Sequence, residues 1–200
     1  MAASAAGVTA RRLGIRTGRV AVPTGLLVML AGALLFLLPP HSTIAAIVLG
    51  IVGVVVYALG VVQLAGGPWW ALIVGALSGL ILCTALIVAG RGLALRLFGE
   101  AMPCQVVSRQ QVDTSARYKH HDFVHALSCP AAGPVSIRTD STDRQPAGAP
   151  AEILADPHGV LEPDFASRHH LAVDVVMIVV ALGAVAATIT FARRGARSHE

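Results

Sequence analysis

Three apolar segments fill residues 20–90, about 80 mostly polar residues follow, and a fourth apolar segment closes the chain. That order constrains the fold more than any motif in the sequence. Val20 to Leu38, Ile44 to Leu64, Trp69 to Ala89 and Leu171 to Phe191 each hold roughly 20 residues, enough at about 1.5 Å per residue to cross a hydrocarbon core of about 30 Å. A helix is the expected form, because it satisfies its own backbone where no water is present. Hydrophobic residues make up 55% of the chain and charged residues 13%, which lies outside the range of ordinary soluble domains. The expected class is an α+β membrane protein, with four transmembrane helices and a small, mostly β extracytoplasmic domain inserted between helices 3 and 4.

Charge placement orients this plan. Arg11, Arg12, Arg16 and Arg19 lie in the N-terminal tail, and Arg193, Arg194 and Arg197 in the C-terminal tail. An even number of crossings puts both tails on one side, and the excess of arginine assigns that side to the cytoplasm. The expected organisation is therefore a cytoplasmic tail over residues 1–19, three spans over 20–90 (20–38, 44–64 and 69–89), an extracytoplasmic domain over 91–170, a fourth span over 171–191 and a cytoplasmic tail over 192–200. Arg91 and Arg96 flank the third span on the external side, against the charge rule, and leave the reversed topology as an alternative. A cleaved signal peptide is a poor reading of the first span, because its apolar run exceeds the roughly 7–15 residues of a typical h-region. The net charge of +4 follows from the tails, since the central segment is nearly neutral. Orientation explains it without nucleic acid.

Between Gly99 and Phe165 short alternating runs replace the continuous apolar ones, the signature of strands. Strands are expected near Cys104 to Arg109, Tyr118 to Ser128, Val135 to Arg138 and Ala151 to Leu154, with a loop over Asp140 to Pro150. Roughly 65 residues make a small independent core, so a covalent staple is expected. A hairpin register that sets Cys104 opposite Cys129 also sets Val106 opposite Leu127 and Val107 opposite Ala126, so apolar residues meet across the pair. A structural disulfide between Cys104 and Cys129 is the preferred reading, with two free thiols or a redox or metal role as alternatives. Cys83 lies mid-span and reads as a small apolar residue.

His121 and His125 are the weak candidates for a metal site. On a helix they would share a face; on a strand they stand roughly 13 Å apart, so the strand assignment makes them solvated side chains. Asp174 is the only acidic residue within a span, about one turn inside its outer end, and His170 precedes it by one turn. Its two readings are an interfacial carboxylate and a functional intramembrane site. Gly75 and Gly79 form a GxxxG pair, and Gly183 with Ala187 a weaker analogue, read either as contacts within the chain or as a dimer interface. No nucleophile elbow, P-loop or dinucleotide fingerprint occurs, and no cofactor is expected.

Gly148-Ala-Pro-Ala-Glu-Ile-Leu-Ala-Asp-Pro157 and Gly99 followed by Cys104-Gln-Val-Val resemble the closing and opening strands of a bacterial, actinobacterial-type family of multi-pass membrane proteins of unknown function. Ala155 stands where that family usually has tyrosine. The resemblance covers residues 99–165 and implies a small extracytoplasmic β domain between membrane helices; it implies no activity, catalytic residue or ligand. The expected function is a non-enzymatic membrane protein in the lipid bilayer, presenting its β domain to an envelope component or partner subunit, with self-association open. A small transporter or channel subunit using Asp174, and a membrane thiol-redox or metal-handling protein, are the alternatives.

Overall fold

The computed structural model describes residues 2–39, 41–113, 121–139 and 145–197, and the chain divides into two units, residues 1–91 with 172–200 and residues 92–171. The first unit is helical: α1 (Ala2–Leu37), α2 (Thr43–Leu64), the body of α3 (Trp69–Phe98) and nearly all of α4 (Leu171–Arg197). Four helices, over Arg16–Leu37, Thr43–Leu64, Trp69–Phe98 and Leu171–Gly195, are long and apolar enough to cross a membrane. Ser42 caps α2, its hydroxyl accepting from Ala45 N–H. Gly66 and Gly67, at φ 83° and 100°, make the left-handed turn that separates α2 from α3.

The helices are longer than the apolar runs that define them. The residues expected as an N-terminal tail are helical from Ala2, where alanine and arginine are strong helix formers. In the same way, α4 continues through the expected C-terminal tail to Arg197, its arginines lying at the end where a helix dipole favours cations. The third helix does not stop at Ala89 but reaches Phe98, so its 30 residues measure about 45 Å and both Arg91 and Arg96 lie inside it.

Glycine sets how closely α1 and α2 approach. A Cβ placed on Gly18 would stand 2.8 Å from Gly60 O, one on Gly25 2.8 Å from Gly53 O and 2.5 Å from Tyr57 N, and one on Gly32 3.1 Å from Ala46 O. Positions 18, 25 and 32 thus face 60, 53 and 46 in seven-residue steps running in opposite directions. A seven-residue period keeps one seam in contact along a left-handed crossing, and the missing side chains let the backbones meet. The sequence reading did not anticipate this seam.

The GxxxG of α3 is used within the chain: Gly75 faces Ala58 and Val61 of α2, and Gly79 faces Tyr57 and Val54. No side chain lies within 4 Å of a Cβ placed on Gly183, so the weaker analogue in α4 makes no comparable contact. Tyr57 is fully buried, its hydroxyl 3.4 Å from Ser78 Oγ and hydrogen-bonded also to Thr188. Ser78 and Thr188 already donate to Gly75 O and Ala184 O, so the single Tyr57 O–H is the donor to one of these two hydroxyls at a time.

The second unit is a five-stranded antiparallel sheet in the order β3-β2-β1-β4-β5: β1 (Glu100–Asp113), β2 (His121–Cys129), β3 (Gly133–Thr139), β4 (Pro150–Ala155) and β5 (Asp164–Phe165). The central strand is longer than its alternating stretch, and β5 was not expected at all. Residues 114–120, where the hairpin centre and the start of the second expected strand fall, lie outside the described residues, as do 140–144 of the expected loop. Val106 pairs with Leu127 as expected, but Ser108, not Val107, pairs with Ala126. A bulge at Val107 takes up the extra residue and turns that side chain outward, to 60% exposure. Val106, Leu127, Ile137, Ile153 and Phe165 form the core beside Cys104 and Cys129.

Gly53→Leu should drive a side chain into Met29 and Gly25 and lower the stability of the helical unit by about 1–3 kcal/mol. Gly183→Leu should leave it unchanged. Thermal unfolding of the two full-length variants in detergent checks the contrast; equal loss in both would refute the seam.

Candidate functional site

Cys104 and Cys129 form the expected disulfide, 25 residues apart in sequence, on neighbouring strands β1 and β2. In the chain-entropy account such a closure stabilises by about 3–4 kcal/mol. Both cysteines are buried. Burial blocks the approach of an attacking thiolate, so the bond has the environment of a staple and not of a redox centre.

The structure corrects the reading of His125 as solvated. Alternation along β2 sends Phe123, His125, Leu127 and Cys129 to the interior, and His125 is completely buried. Its ring meets Phe165 edge-on, with centroids 5.5 Å apart, and its Nδ1 lies 3.4 Å from Thr139 Oγ1. The signal was present in the sequence, since Phe123 and Leu127 share its parity. The side chain of His121 lies outside the described residues. Among the described residues no group of three metal-ligating side chains is assembled.

The densest polar arrangement in the unit is one the sequence reading missed. Asp164 and His169 are both buried, at 5% and 8% exposure. Asp164 Oδ1 accepts from Phe165 N–H at 2.8 Å and lies 3.5 Å from Arg168 Nη1, while its Oδ2 accepts from His169 Nε2 at 3.1 Å. A carboxylate only accepts, so Nε2 carries the proton. From the last turns of α3, Arg96 Nη2 donates to Ala166 O at 3.1 Å and His169 O at 2.6 Å. The arginine thereby holds the first carbonyl of the 3-10 turn Ala166–Arg168 and that of His169, which caps it, and this explains its place in the chain without reference to membrane orientation. Neither residue belongs to a spaced motif, and only the turn after β5 brings them together.

Beside this arrangement lies a cleft of about 280 Å³, whose walls include Arg96, Gln145, Ala151, Glu152, Phe165 and Ser167. Next to it in sequence, Asp156 organises the turn that follows β4. The N–H of His158, at 2.9 Å, holds its carboxyl below the usual carboxylate range, helped by the N–H groups of Val160 and Leu161 and the nearby His158 ring.

Asp174, the expected intramembrane acid, lies in the first turn of α4 at 6% exposure, and its Oδ2 has no hydrogen-bond partner among the described residues. It is more deeply buried than an interfacial carboxylate reaching to water. His170 is exposed. Cys83, the free cysteine of α3, is half-buried and faces Gly50 of α2. The chain matches no protein-family model, no curated protein and no solved structure.

Two outcomes follow from this geometry. Asp164→Ala removes the partner of a buried imidazole N–H and a buried backbone N–H, and should destabilise the β4–β5 edge by about 2 kcal/mol or more. Hydrogen exchange at the Ile153 and Phe165 amides of the full chain reads that loss; unchanged protection would contradict it. For Asp156 the lowered folded value means a contribution present above the ordinary carboxylate range of about 3.9 and lost as pH falls through the folded value. Carbon-13 titration of its carboxyl should therefore show a midpoint below that of an unstructured aspartate, and a midpoint at or above it would contradict the turn geometry.

Proposed function

We propose that this chain is a multi-pass membrane protein whose four apolar helices cross the cell membrane with both termini in the cytoplasm. Its β unit then stands outside, inserted between the third and fourth spans, and contacts an envelope component or a partner subunit without catalysing a reaction. The observation that carries this reading is the buried Cys104–Cys129 disulfide at the centre of a separate sheet unit. Such bonds form and persist in oxidising surroundings and are rare in the cytosol. The arginines at both ends of the chain support the same orientation, as even crossings require. The resemblance of residues 99–165 to bacterial membrane proteins with a β domain between helices agrees with it.

Display is favoured over chemistry because the buried polar side chains named above are used in holding the unit together. His125 lies in its core, Asp164 and His169 pair with each other, and Arg138 is tied to Asp122 at 2.8 Å across the outer face of the sheet. Val107 and Val112, both exposed on β1, supply apolar contact area to a partner.

A second reading makes the chain a small transporter or channel subunit. It is favoured by one observation, the buried carboxylate of Asp174 with an unpartnered oxygen at the start of α4. Asp174→Asn would then abolish flux in reconstituted vesicles.

Orientation is tested in intact cells with a membrane-impermeant thiol reagent, in a background carrying Cys83→Ala. His158→Cys should be labelled and Ser198→Cys should be labelled only after permeabilisation. The opposite pattern would overturn the proposed orientation, and with it the external partner.

A further inference from the structure

β5 pairs with β4 only through Ile153 with Phe165 and Leu154 with Asp164; the chain then leaves the sheet for the turn Ala166–Arg168. Pro150, Ala151 and Glu152 of β4 therefore have β1 on one side and, among the described residues, no strand on the other. The space that a longer fifth strand would fill is the cleft, which is why Ala151 and Glu152 line one part of it and Phe165, Ala166 and Ser167 another.

Two opposite charges line this one cleft without neutralising each other. Arg96 uses Nη2 on the carbonyls of Ala166 and His169, so Nη1 and Nε still offer hydrogens. Glu152 is exposed, and among the described residues neither Glu152 nor Arg96 is joined to an oppositely charged side chain. Arg96 is also held in place by its two backbone acceptors, so it meets a ligand with little further loss of freedom. A guanidinium with free hydrogens binds phosphate or carboxylate oxygens, and a carboxylate binds an ammonium group. A ligand carrying only one of these charges would leave the other wall's charge facing it without compensation.

We propose that the cleft beside β4 is a binding site for a small zwitterion that bears a phosphate and a primary ammonium group, the phosphate on Arg96 and the ammonium on Glu152. The size agrees: about 280 Å³ lies at the lower end of ligand sites and suits a headgroup-sized molecule. Ser167 and Gln145 are polar residues of the same walls. The same chemistry is offered by a free phosphoethanolamine and by the headgroup of a phosphatidylethanolamine lipid. This inference rests on the β unit alone and holds whichever side of a membrane that unit occupies.

The test is calorimetric titration of the full-length protein, in nanodiscs of phosphatidylglycerol, with phosphoethanolamine, inorganic phosphate and ethanolamine. Phosphoethanolamine should bind at least about tenfold more tightly than inorganic phosphate, the increment expected of one added charge-assisted contact. Glu152→Gln should erase that advantage while leaving phosphate binding and the melting temperature unchanged. Equal affinity for phosphate and phosphoethanolamine, an advantage that survives Glu152→Gln, or no binding of either would overturn the proposal. Repeating the titration in phosphatidylethanolamine nanodiscs separates the sources. Weaker apparent binding there supports the lipid headgroup as occupant, and unchanged binding supports a soluble zwitterion.

Discussion

A backbone N–H or C=O removed from water without a partner costs several kcal/mol, and both units are arranged around that cost. In the helical unit it forces each apolar segment to close its own hydrogen bonds, so the segments are helices whatever their side chains prefer. In the β unit it is met by the ladders of a five-stranded sheet, and where the sheet ends it is met by side chains. Arg96 answers the carbonyls of Ala166 and His169, Asp164 answers the N–H of Phe165, and Asp156 answers three N–H groups of the turn after β4. The polar residues that look functional in the sequence are thus largely occupied by the backbone. In the walls of the cleft beside β4, Glu152 and the remaining nitrogen hydrogens of Arg96 are still able to bind.

Close packing of the helices depends on a second, weaker constraint. For apolar helices in a bilayer, lipid gives no reason to associate, so association there needs backbones near enough for dispersion to count. Gly25 and Gly53 provide that at the middle of the α1–α2 seam, and Gly75 and Gly79 provide it between α2 and α3. Tyr57 fills the remaining space and supplies a hydroxyl shared among three helices.

How far the sequence was legible differs from residue to residue for physical reasons. The disulfide could be read because a hairpin has one register that pairs apolar residues, and that register sets Cys104 beside Cys129. It failed one residue later, at Val107, because a bulge changes the count on one strand only and leaves no trace in alternation. The helix ends were misjudged at Ala89 and Arg19, since hydropathy reports what lipid covers and not where a helix stops. Among the candidate site residues, Asp174 was singled out by its charge, whereas Asp164, His169 and Arg96 were not. Asp164 and His169 are ordinary polar residues in a linker, and Arg96 lies about 70 positions upstream of its partners.

The sequence by itself determined the alternation of environments: where the chain must be helical to satisfy its backbone, where it turns to strands, and which two cysteines can meet. These follow from composition and period, which act locally. Only the tertiary structure decided which polar groups are used up and which remain free. It turned His125 into a core residue, engaged Arg96 with a distant turn, and stopped β5 after two residues so that a cleft opens beside β4. Those outcomes depend on which segments lie side by side, and adjacency across scores of residues has no local periodicity to announce it.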